Sequence, residues 1–143
     1  MAEGAFRYVL SLLAKKGYFS RELREKLSKR GYSLKAIEKT IELCTARGYL
    51  NDEAESERAI ASEVRKGRGP LYIAAKLKAR SRIVSPAIKN IDQRASILLL
   101  LPKLCKKYDP KTYEGRGKLF QALQRRGFET EAILSCIEQQ FPV

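Results

Sequence analysis

Histidine is absent from the 143 residues. Without an imidazole the chain has no Ser-His-Asp or Cys-His nucleophile system, no histidine-ligated zinc and no imidazole pH switch. Cysteine is scarce: Cys44, Cys105 and Cys136 stand 61 and 31 positions apart with no C-x-x-C pair, and three cannot pair off completely. They read as reduced, mostly buried apolar residues of a cytosolic protein. Long apolar runs are missing too. The most apolar stretch, Ile97 to Leu101, ends at Pro102 and Lys103, far short of the roughly 20 residues that cross a bilayer. The start, Met-Ala-Glu-Gly-Ala-Phe-Arg, lacks the parts of a signal peptide. A cytoplasmic chain without membrane contact is expected.

Acid is the other shortage. Against 29 Lys plus Arg there are 16 Asp plus Glu, a net charge of +13. Hydrophobic residues make up 44%, enough for a real core, so disorder is not expected despite the charge. A folded, strongly basic chain of one-domain length points to a polyanionic partner, most commonly nucleic acid. The charge divides as +6 over residues 1–50, +3 over 51–92 and +4 over 93–143. It belongs to the folded body and not to a tail, which favours a long contact along a filament or strand.

What is present is helical period with regular punctuation. Phe6, Val9, Leu10 and Leu13 recur three or four apart up to Gly17, where a left-handed helix end is expected. Ser20 is the expected cap of a second helix, with Leu23 and Leu27, that stops at Gly31. Ser33 is that of a third, with Ile37, Ile41 and Cys44, that stops at Gly48. Asn51 or Asp52 caps a fourth, rich in early glutamates and ending at Gly67. Gly69-Pro70 opens a fifth, with Ile73 and Leu77, and Ser85-Pro86 a sixth, with Ile88 and Ile91 inward. The seventh spans about Gln93 to Lys107, kinked or interrupted at Pro102. Gly115 to Arg126 and Thr130 to Gln140 complete nine.

These helices repeat. Aligning Arg24–Glu42 with Lys118–Glu138 matches Leu27 to Leu123, Gly31 to Gly127, Tyr32 to Phe128, and Ile37 and Ile41 to Ile133 and Ile137. A middle copy, Ala74–Asp92, keeps Leu77, Ile88 and Ile91 but has Ser81 at the glycine and one extra turn residue. The expected fold is all-α: three tandem three-helix, helix-turn-helix-like repeats, residues 1–50, 51–92 and 93–143. Units so small bury little surface alone, so they are expected to form one continuous domain, an elongated, curved array.

Three segments then carry a family pattern. They are Ser20-Arg21-Glu22-Leu23 with Lys26-Leu27 and Arg30-Gly31; Gly48-Tyr49-Leu50-Asn51-Asp52 followed by Gly67-Arg68-Gly69-Pro70; and Lys118 to Phe128, with Leu123 and Arg125-Arg126-Gly127-Phe128. In this order, on a triple helical repeat, the chain resembles the RecX family of regulatory proteins over roughly residues 5–140. Leu27, Gly31, Gly48, Leu50, Asp52, Gly69, Pro70, Leu123 and Gly127 are its structural motif positions; Ser81 departs from the glycine usual in the second unit. The resemblance implies a cytoplasmic bacterial protein that binds the RecA recombinase filament on single-stranded DNA, lies along its groove, suppresses ATP hydrolysis and strand exchange, and promotes disassembly. It implies no chemistry of its own. A monomer is expected, with no cofactor and no metal.

The candidate contact residues are the basic clusters: Arg65-Lys66 with Arg68, then Lys76, Lys78, Arg80 and Arg82, then Arg125-Arg126. On the fifth helix Lys76 and Arg80 form an i, i+4 pair on the outer stripe. No acid lies between Arg65 and Arg82 to neutralise them. Arg30, Arg125 and Arg126 precede turn glycines, where cations also favour a helix C-terminus. Tyr18, Tyr32, Tyr49, Tyr72, Phe128 and Phe141 read as packing residues more than as base-stacking ones. Asn51-Asp52-Glu53 lacks the spaced ligands and glycine of a calcium loop. Gly67-x-Gly69 has no Gly-Lys-Ser/Thr after it and no strand before it, so it reads as a helix break. The alternatives are an autonomous helix-turn-helix regulator reading duplex DNA in its major groove, and a helical scaffold whose charge serves solubility.

Overall fold

The computed structural model describes residues 2–143, and among these there is no strand. Eight α-helices form: α1 Ala2–Leu13, α2 Ser20–Lys29, α3 Leu34–Ala46, α4 Asp52–Arg65, α5 Pro70–Ser81, α6 Gln93–Lys107, α7 Tyr113–Arg125 and α8 Thr130–Gln140. A single 3-10 helix, Pro86–Asn90, lies between α5 and α6. The all-helical class and the helix-turn-helix repeats are as the periodicity predicts.

Four of these helices end in one way. Gly31, Gly48, Gly67 and Gly127 all have φ between +78° and +96°, the left-handed region in which glycine has no Cβ to clash. The amide of the following residue reaches back five positions: Tyr32 to Leu27, Tyr49 to Cys44, Arg68 to Glu63 and Phe128 to Leu123. Each therefore satisfies helix carbonyls that would otherwise be orphaned. Gly17 differs from the expectation: it does not have a positive φ. A Cβ there would overlap the Glu55 carboxylate, so it is glycine for space rather than for conformation.

The starts are capped by Ser33, which accepts from the Ala36 amide, and by Asn51, which accepts from the Ala54 amide at 3.0 Å. Ser20 is not a cap. Phe19 holds that position, its amide donating to Glu22 Oε1 at 2.9 Å, while the Ser20 amide and hydroxyl both donate to Asp52. The predicted sixth helix shrinks to the 3-10 turn capped by Ser85, with Ile88 and Ile91 only half-buried. Ser81 ends α5, and the left-handed residue is Arg82, φ +62°. The α6 helix runs through the exposed Pro102 without interruption; the buried Ile97, Leu101 and Leu104 on its inner face offset the one amide hydrogen bond that proline withholds.

The residues divide into two units. One runs to Arg58 and includes Leu77–Val84. There α1, α2 and α3 enclose Val9, Leu23, Leu27, Ile37, Ile41 and Cys44. The other comprises Ala59–Lys76 and Ser85–Val143, where α6, α7 and α8 enclose Ile97, Leu119, Leu123, Phe128, Ile133 and Ile137. The paired positions Leu27 and Leu123, Ile37 and Ile133, and Ile41 and Ile137 are all buried. A fully buried aliphatic side chain of this size contributes about 1.5–3 kcal/mol. Cys44, Cys105 and Cys136 are free thiols, and burial pushes all three above their ordinary pKa.

Candidate functional site

The turn between the end of α4 and the start of α5 sets Arg68 in the second unit. After the left-handed Gly67, Arg68 leaves the helix. Gly69 and Leu71 then donate their amides to the carbonyls of Arg126 and Gly127, at 2.7 and 2.9 Å. Donors orphaned at the start of α5 thus meet acceptors orphaned at the end of α7. The approach needs two glycines: a Cβ on Gly69 would lie 2.5 Å from the Gly127 carbonyl carbon, and one on Gly127 would lie 2.5 Å from Tyr72. Pro70, at the first helical position, has no amide to leave unpaired.

This crossing carries Arg68 to Arg125 and Arg126, which are remote from it in sequence. Together with Lys107 and Tyr108 at the end of α6, they line a cleft of about 330 Å³ with Leu104 and Ala122. Among the described residues no carboxylate lines it. The Arg68 guanidinium lies 4.6 Å from the Tyr72 ring centre, and its buried Nε has no hydrogen-bond partner among the described residues. Lys107 lies 5.6 Å from the Tyr108 ring centre.

The remaining candidates have other surroundings. Lys76 Nζ sits 3.2 Å from both carboxylate oxygens of Glu63, which is buried and also lies 3.7 Å from Lys66. In the first unit Arg80 donates to both oxygens of Glu22, at 3.0 and 3.1 Å, with Glu55 at 3.6 Å and the Phe19 ring at 4.8 Å. The expectation that nothing neutralises the Arg65–Arg82 stretch is therefore corrected: Glu63, Glu22 and Glu55, all outside it, do so through tertiary contacts. Lys76 and Arg80 do not form a free outer stripe. Arg65, Lys78 and Arg82 are exposed, and among the described residues they take part in no ion pair.

Burial pushes the Glu22 carboxyl up, but the hydrogen bonds from Arg80 and the Phe19 amide outweigh it and hold the pKa below the ordinary value. Arg80 is pushed down by burial and raised further by Glu22 and Glu55, for a net rise. Arg30 stacks 4.0 Å from the Tyr8 ring centre and Arg47 5.3 Å from that of Phe6. Among the aromatic residues Tyr18 and Phe128 are buried, whereas Tyr49 is exposed. The sequence reading missed Lys107 and Tyr108, whose signal was the Lys106-Lys107 pair in a helix's last turn. Among the described residues no group of three acidic, cysteine or histidine side chains is placed to hold a metal, and no helix is long and apolar enough to cross a membrane.

The two three-helix cores correspond to two matches with known sequence families. Residues 5–44 match the first three-helix domain of RecX, and residues 92–137 match the third. The regulatory protein RecX of Pelodictyon phaeoclathratiforme is 33% identical over 141 residues, spanning 95% of this chain and 88% of its own length. The chain belongs to the RecX family. RecX of Haemophilus influenzae strain PittEE is 26% identical over 97% of this chain and 96% of its own. The crystal structure of RecX from Lactobacillus salivarius matches the fold with a TM-score of 0.87, at 19% identity, over 99% of this chain and 97% of that one. The Gly-Pro turn and the Arg-Arg-Gly-Phe turn that carry the RecX resemblance are the two segments joined by the Gly69–Arg126 hydrogen bond.

Proposed function

We propose that this chain modulates the RecA recombinase by binding its filament on single-stranded DNA, lowering ATP hydrolysis and strand exchange without catalysing a reaction itself. Membership of the RecX family of regulatory proteins carries the reading. The positive charge spread over the folded body supports it, because a filament presents a long polyanionic track and a distributed charge suits it better than a basic tail. The proposed working form is a cytoplasmic monomer of three helical units, 1–50, 51–92 and 93–143.

Co-sedimentation tests the binding step. RecA filaments assembled on single-stranded DNA with a non-hydrolysable nucleotide are expected to carry the chain into the pellet in a saturable ratio. Equal recovery with and without filaments would overturn the proposal.

A further inference from the structure

We propose that the cleft lined by Arg68, Lys107, Arg125 and Arg126 is a seat for a backbone phosphate of single-stranded nucleic acid, bound directly by this chain. The inference goes beyond the recombinase reading and does not depend on it. Four cations converge on about 330 Å³ with no carboxylate in the lining. Among the described residues none of the four is in an ion pair, whereas Lys66, Lys76 and Arg80 of the neighbouring basic stretch are. Gathering like charges is unfavourable unless an anion joins them.

The Arg68 Nε is the second observation. It is a charged, buried donor with no acceptor, an arrangement that costs free energy until an acceptor arrives. Tyr72 covers the guanidinium, so the fork is already held when a ligand approaches. Guanidinium geometry matches two phosphate oxygens at once. The half-buried Tyr108 beside Lys107 adds an aromatic face on which a base or sugar can rest. That face favours a nucleic-acid phosphate over an acidic side chain. The volume is at the lower end of ordinary ligand sites, which fits one phosphate with its sugar.

Fluorescence anisotropy with labelled oligothymidylate and the full chain, without recombinase, tests the seat. The Lys107→Ala/Arg125→Ala variant is expected to bind at least tenfold more weakly, and its dependence of log affinity on log salt to flatten by about 1.4, or roughly 0.7 per lost single-strand contact. The Lys35→Ala/Lys39→Ala variant removes the same charge from exposed positions on α3 and is expected to change affinity less than threefold. In the unaltered chain, inorganic phosphate is expected to move the Arg68 Nε–H resonance. Unchanged oligonucleotide affinity in the cleft variant, an equal loss in the α3 variant, or an unmoved Arg68 signal would each overturn the proposal. So would a cleft variant that loses only filament binding, since the ligand would then be an acidic protein surface.

Discussion

The amide of Gly69 donates to the carbonyl of Arg126 at 2.7 Å, and the backbones pass so closely that neither Gly69 nor Gly127 has room for a Cβ. One contact thus caps two helix ends and sets Arg68 beside the α7 arginines. Gly69→Ala is expected to destabilise the chain by about 2–3 kcal/mol, because the clash is with backbone and not with a flexible side chain. Gly31→Ala, where φ is +88° but nothing lies within 4 Å, is expected to cost only about 1 kcal/mol of left-handed strain. Urea unfolding midpoints of the two variants rank them.

Arg80 is expected to act in stability. Its bidentate pair with Glu22 is about three-quarters removed from solvent. That places it between an exposed pair, worth under about 1 kcal/mol, and a fully buried one, whose disruption costs about 3–5. Arg80→Ala is expected to destabilise by about 2 kcal/mol, and Arg80→Glu by more, since it would bring a third carboxylate to Glu22 and Glu55. Lys78→Ala, on the exposed side of the same helix, is expected to stay within about 0.5 kcal/mol. Equal effects at positions 78 and 80 in thermal unfolding would contradict the pairing.

The same pair predicts a pH dependence. Folded Glu22 holds its proton less tightly than the unfolded residue does, so its contribution is complete above the ordinary glutamate pKa of about 4.3 and is lost as pH falls through the lower folded value. Unfolding midpoints measured from neutral pH into the acid range are expected to fall more for the native chain than for Arg80→Ala. Parallel curves would contradict it.

Arg82 carries a positive φ that glycine adopts freely. Arg82→Gly is expected to stabilise by up to about 1 kcal/mol, the relief of left-handed strain less the added chain entropy. A lower unfolding midpoint would mean that the Arg82 side chain contributes more than its backbone costs.

Helices and left-handed glycines were legible in the sequence because both depend on residues close together in the chain. Leu27 and Leu123 could be aligned because each belongs to an unbroken helix-turn-helix core. The middle copy was harder to read: Ser81 and the extra turn residue move the left-handed position to Arg82, and a five-residue 3-10 turn replaces its last helix. Ser20 satisfied the rule for a cap, but Asp52, 32 positions away, takes its hydroxyl. Charge partners were invisible for the same reason. Glu22 lies 58 positions from Arg80, and the acid-free stretch between Arg65 and Arg82 is neutralised from outside itself. The cleft at Arg68 depends on a backbone hydrogen bond to Arg126, a relation that no local pattern encodes.

The central claim, modulation of RecA, is tested most directly by the steady-state ATPase of RecA on single-stranded DNA as the chain is titrated to stoichiometric amounts. The account predicts a progressive, saturable fall in hydrolysis. A rate unchanged at stoichiometric chain would contradict it.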